Sequence, residues 1–334
     1  VILHTSSALL RKTAALALLG LLAVPNGFSW GSDGHRMINR LAAESLPADA
    51  PAFLKTPQAL DEIEYLGPEP DRWRSPAEPE LSYAQAPEHF IDLETADVVG
   101  PLPRRRSDFL NDLAAYRAAH PDKAAVETPE KVGLQPWETN EVWERLKAAF
   151  REYRQLTAAH ANTRPVEAAI LFYSGWLGHY VGDGSQPLHV SIQYNGWTGP
   201  NPNGYTTEHH IHSQFESEYV AANIKAADVR PLIGPVRPIE DEWVDYLAYL
   251  RHTGTLVETT YQLEKAGGFT AAGTPAARQF TEERLAAGAA MLRDMIYAAW
   301  VESAKPVPDP HAASSPALWG PGAEQHFPRA QLAS

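Results

Sequence analysis

Hydrophobic positions recur with a helical period in several segments, separated by stretches crowded with proline and glycine. Residues 33–46 place Met37, Ile38, Leu41 and Ala42 on one side, and Pro47 stops the pattern. A Pro-rich, loop-rich stretch covers about 68–103. The pattern predicts a short amphipathic helix over 109–119. It predicts a longer one over 138–159, with Val142, Leu146, Phe150 and Tyr153 at i, i+4, i+8 and i+11. Pro165 opens a helix over 166–181 that carries Ile170, Leu171, Tyr173, Trp176 and Leu177 and reads as buried most of the way round. Gly182, Gly184 and Pro187 end it. Residues 195–207, rich in Gly, Asn and Pro, read as a loop. Residues 209–222 read as helical, and 240–263 and 276–304 as long amphipathic helices. With no strand series and no internal repeat, the expected fold class is all-α, a single multi-helix domain with long loops.

The two ends read differently. Residues 1–29 contain no acid. Arg11 and Lys12 precede an apolar run over 13–24, and Gly27 and Ser29 offer small-x-small before Trp30. This is the layout of a secretory signal peptide, too short for a comfortable membrane span. Cleavage would place the protein outside the cytoplasm, secreted or periplasmic. It would also free the α-amino group of Trp30, whose pKa of ~8 lets it ligate a metal once deprotonated. The other reading of this segment is an uncleaved anchor. Residues 306–334 read as a Pro-rich tail, leaving 30–305 as the domain.

Composition narrows the chemistry. The chain has 334 residues and no cysteine, so a metal site here must be built from the 13 His and the 41 Asp and Glu. The net charge is −13 and no Lys/Arg stripe is visible. Arg104-Arg105-Arg106 reads as a solvated loop. That balance argues against electrostatic wrapping of a long duplex. It leaves open an enzyme in which bound cations attract a single phosphodiester.

Two pairs have the spacing of a metal grip: His179 with Asp183, and His212 with Glu216, each four apart on one helical face. Either pair alone equally describes a surface ion pair. The apolar surroundings of the first favour the metal, because a buried carboxylate needs a partner. His189, six residues after Asp183, could close over the same site.

The stretch GHYVGDGSQPLH, Gly178 to His189, resembles the signature of the zinc-dependent phospholipase C and S1/P1 nuclease superfamily. Further pieces follow in the family's order: WGSDGH from Trp30, PDRWR with Asp71 and Arg74, EHFID with His89, Phe90 and Asp92, and HSQFE with His212 and Glu216. The resemblance implies three Zn²⁺. Asp71, His89, His179 and Asp183 would hold one. Trp30, through its amino nitrogen and carbonyl oxygen, with His35 and the shared Asp183, would hold a second. His189, His212 and Glu216 would hold the third. It further implies a hydroxide bridging the zincs that share Asp183, Arg74 stabilising the phosphorus centre, Asp92 holding Arg74, and Phe90 stacking a base. Left to the residues alone, Trp30 could be an interfacial aromatic, Phe90 ordinary core and Arg74 the partner of a surface acid. Tyr173 and Trp176 read as core rather than as a substrate platform.

The mixture of motifs bears on substrate. The short Trp30-to-His35 spacing, HFID and Arg74 resemble nucleases, whereas Glu216 resembles the phospholipase. The favoured expectation is a sugar-nonspecific nuclease acting on single-stranded DNA or RNA and also removing 3′-phosphates from 3′-nucleotides, as a monomer without an obligate protein partner. The alternatives are a phospholipase C acting on phosphatidylcholine-type phospholipid and a non-catalytic zinc-binding protein.

Overall fold

A computed structural model of the protein describes residues 30–307. The signal-peptide reading of 1–29 and nearly all of the tail lie outside the described residues. Within them the chain is all-α: there is no β-strand, and only two isolated bridges, Ile91 with Gly133 and Tyr194 with Gly196.

Eight helices of eight or more residues carry the fold. They are α1 (Gly31–Glu44), α2 (Pro57–Leu66), α3 (Arg106–Ala119), α4 (Gln135–Ala158), α5 (Arg164–Asp183), α6 (Glu242–Gly254), α7 (Val257–Lys265) and α8 (Pro275–Glu302). Several begin where the sequence provides a cap. Thr56 accepts from the Ala59 N–H, Asp241 from Val244, and Thr274 from Ala277, and a proline follows Thr56 and Thr274 directly.

Helix α5 is the axis of the molecule. It packs against α1, α2, α4 and α8. Glycines on its surface let the neighbours approach. A Cβ on Gly178 would overlap Asn39 Oδ1 and lie 2.7 Å from Leu292 Cδ2. Buried Asn39 uses that proximity, donating to Ile63 O and Gly175 O at 3.0 Å each and so tying α1 to α2 and α5. The buried apolar residues form one cluster running from Trp30 to Ala299. Tyr173 and Trp176 pack against it but keep part of their surface, so α5 is not buried all round.

The structure departs from the sequence pattern in four places. Helix α2 occupies a stretch to which the periodicity assigned nothing. The segment expected to be one helix over 240–263 is two, broken at Thr255 and Leu256 after Gly254, and Thr255 N–H turns back to Arg251 O and His252 O. The segment expected over 209–222 starts at Ile211 and is π-wound over Gln214–Tyr219. Finally, Arg104-Arg105-Arg106 is not simply a solvated loop. Arg106 opens α3 and reaches Glu88, Glu138 and Glu141, while Arg104 pairs with Asp241 and Glu242. Among the described residues no helix is long and apolar enough to cross a membrane.

Candidate metal centre

The side chains singled out by their motifs converge on the C-terminal end of α5. His179 and Asp183 project from its last turns. His35 comes from α1. Asp71 comes from the short helix Glu69–Trp73, and His89 from the 3₁₀ turn Ala86–His89, both inside the Pro-rich stretch. His189 ends the turn Pro187–His189. His212 and Glu216 lie on the irregular helix that begins at Ile211. Seven of the eight are 5% exposed or less, and Asp71 keeps 24% of its side-chain surface.

Their atoms fall into three groups of metal-binding size: His35, Asp71 and His179; His89, His179 and Asp183; His189, His212 and Glu216. Asp183 faces two ways. Its Oδ2 lies 3.4 Å from both His89 Nδ1 and His179 Nε2, while its Oδ1 lies 3.3 Å from His35 Nε2. Asp71 Oδ1 is 3.8 Å from His89 Nδ1 and 3.9 Å from His179 Nε2. In the last group Glu216 Oε2 lies 3.0 Å from His212 Nε2 and 3.3 Å from His189 Nε2.

Backbone carbonyls orient three of the rings. His179 Nδ1 lies 2.9 Å from Gly67 O, His189 Nδ1 2.8 Å from His89 O, and His212 Nδ1 2.8 Å from Tyr194 O. A carbonyl only accepts, so each Nδ1 carries a hydrogen, and each ring turns its Nε2 inward. His189 Nε2 and His212 Nε2 then face each other at 3.1 Å beside the Glu216 carboxylate, and His179 Nε2 faces His89 Nδ1 at 2.9 Å beside Asp183. His89 Nδ1, held by no carbonyl, can itself donate to His179 Nε2 or Asp183, whereas the two Nε2 atoms and the carboxylate around Glu216 converge as acceptors and need a cation between them, either a proton or a metal. This donor set of imidazoles and carboxylates fits zinc.

The electrostatics point the same way. Burial opposes ionisation of Asp183, but His179, His189 and then His35 and His89 hold its pKa well below the usual range. Burial likewise opposes Glu216, which His212 and His189 bring down to about 2. Desolvation, then the Asp183 charge, pushes Asp71 well above its ordinary value. Burial would lower His189, but Asp183 and Glu216 raise it to about 9. His89 is lowered to about 4, first by burial and further by Arg74 and His189.

Trp30 is fully buried at the start of α1. Its indole Nε1 donates to Gly182 O at 2.7 Å and Ser185 Oγ at 2.9 Å, which fixes it beside Asp183. Its carbonyl accepts from Gly34 N–H at 3.1 Å. It is therefore not an interfacial aromatic.

A cleft of about 460 Å³ opens over this centre. Arg74, His89, Phe90, Asp92, Lys131, Leu188, His189, Tyr194 and His212 line it, together with Ala86 and Glu130. Phe90 is only half-buried, and Tyr194 is 52% exposed. Arg74 caps the short helix that carries Asp71, and its charge bears on Asp71 and His89. Asp92 shares the cleft. Burial, then Glu94 and Glu127, push its carboxyl up to about 8, so near neutrality it offers a hydrogen bond rather than a full counter-charge. Sequence reasoning missed Lys131 and Tyr194, which belong to no motif, and the carbonyls of Gly67, His89 and Tyr194, which no side-chain pattern can reveal. His209 and His210 are exposed, as the sequence reading expects.

A family model of the S1/P1 nucleases matches residues 30–307, all of the described chain. The family is one of zinc-dependent phosphodiester hydrolases. No curated protein and no solved structure matches the chain.

Proposed function

We propose that this chain, which belongs to the S1/P1 nuclease family, is a three-zinc nuclease that cleaves single-stranded DNA and RNA and removes 3′-phosphates. The observation that carries the reading is the two-sided Asp183, one oxygen toward His89 and His179 and the other toward His35. A carboxylate so placed can serve two metals at once.

Asp71, His89, His179 and Asp183 would hold one zinc. Trp30, His35 and Asp183 would hold a second, and His189, His212 and Glu216 the third. When bound, zinc supplies Lewis acidity that activates water near neutral pH and neutralises phosphate charge. The protein does the rest. Carbonyl-held rings keep their lone pairs aimed inward. Arg74, at the cleft wall, neutralises charge that builds on the phosphorus oxygens. Phe90 offers a π-face to a base, worth ~1–3 kcal/mol without sequence preference. Asp92 supplies a hydrogen bond within the cleft.

The family match starts at Trp30, which supports cleavage before that residue and a protein that works outside the cytoplasm. The deciding assay offers the zinc-loaded protein single-stranded DNA, RNA, 3′-AMP and phosphatidylcholine vesicles. Release of acid-soluble nucleotide and of phosphate is expected. Lipid hydrolysis without nucleotide release would assign the chain to phospholipid, as Glu216 alone suggests. Full zinc occupancy with no turnover would leave a zinc-binding protein.

A further inference from the structure

One fully buried polar side chain at the centre has no part in the ligand set. Gln186 is 0% exposed and lies in the turn between Asp183 and His189. Its Oε1 accepts from the Leu188 N–H at 2.6 Å, capping the turn that ends in His189. Its Nε2 donates to Glu216 Oε2 at 3.1 Å. The amide can sit only this way round. Reversed, its NH₂ would meet the Leu188 N–H and its oxygen would meet a carboxylate.

The oxygen it touches is the one at which both imidazoles aim, 3.0 Å from His212 Nε2 and 3.3 Å from His189 Nε2. A carboxylate oxygen has two lone pairs, so Oε2 can take the Gln186 hydrogen and still present one pair inward. Glu216 also sits in the π-wound segment Gln214–Tyr219, where the backbone departs from α-helical spacing and no longer sets the carboxylate's direction by itself. We propose that Gln186 is a positioning residue: it locks Glu216 Oε2 between His189 and His212, and so sets the affinity of that one metal site of the three. This rests on the zinc reading above. Gln186 touches neither substrate nor reacting atoms.

The test is Gln186→Glu. It keeps side-chain length and the acceptor for Leu188 N–H, but turns an oxygen toward Glu216 where a donor stood. Zinc uptake by the metal-free protein is followed by titration and elemental analysis against the unaltered chain. One uptake step should weaken about 10–100-fold, the usual effect of losing a group that orients a ligand, while the others stay within about twofold. No change in any step would overturn the proposal. So would equal weakening of all steps, which would make the effect a general disturbance of the fold. Should Gln186→Glu melt below the assay temperature, Gln186→Met removes the donor, together with the acceptor for Leu188 N–H, without adding charge. The same selective loss is expected, and its absence overturns the proposal. Selective loss in a protein that cleaves no nucleic acid would support the positioning role while sinking the nuclease reading.

Discussion

Asp183 is the residue on which most of the centre depends. Asp183→Asn keeps the volume but halves the ligating capacity and removes the charge that balances His179 and His189. It should abolish activity and lower zinc content by two per chain together, measured by elemental analysis. Loss of one alone would remove its bridging role. Phe90→Ala tests a different contact. Stacking of ~1–3 kcal/mol corresponds to about 5–150-fold weaker binding of single-stranded substrate. An activated aryl phosphodiester, which has no base, should be hydrolysed at close to the original rate, so equal losses on both would deny Phe90 a stacking role. Protonation adds a third handle. Glu88 is pushed up to about 7 by burial first and Glu138 next, against Arg106. A folded-state pKa above the unfolded value means that the unfolded chain gives up its proton first as pH rises. Glu88 should therefore cost stability progressively between about pH 4.5 and 7 and level off above. Gln in its place should flatten the melting temperature over that window.

At the scale of elements, the helical spacing made half the centre readable. His179 with Asp183 and His212 with Glu216 stand out because four residues nearly complete a turn. Asp71 and His89 were legible only through family resemblance, because they project from short turns in a Pro-rich stretch where no period exists. The π winding of Gln214–Tyr219 left no sequence signal, since an i, i+4 pair looks the same in either winding. Helix α2 was missed although Thr56-Pro57 is a good start signal, and the break after Gly254 was overridden by the apolar rhythm on both sides. The close packing of α5 was also hidden, since a glycine reads as a breaker until its neighbour is known. Gly178→Ala should reveal it. Its methyl group would meet Asn39 and Leu292, with about 1–3 kcal/mol lost in denaturant unfolding, the usual cost of overpacking. An unchanged midpoint would show that α1 can shift at no cost.

Across the whole molecule, the acidic balance and the local cations pull apart. With a net charge of −13, attraction for nucleic acid must come from the cleft, where Arg74 and Lys131 are, among the described residues, the only Lys or Arg in the lining. Two neutralised phosphates give a slope of log affinity on log salt near about −1.4 for a single strand. A much steeper slope would point to a basic path elsewhere. Chelation should both stop turnover and lower the melting temperature by several degrees, because the buried imidazoles and carboxylates lose the ions they would share. The carbonyls of Gly67, His89 and Tyr194 carry a last consequence. They belong to main chain woven into the fold, so the fold itself sets the directions of the three rings they hold. A frame that rigid dictates the geometry of coordination and leaves the choice of element to supply. Cobalt would enter the same positions, bringing colour to a colourless enzyme and a visible report of each ion's surroundings.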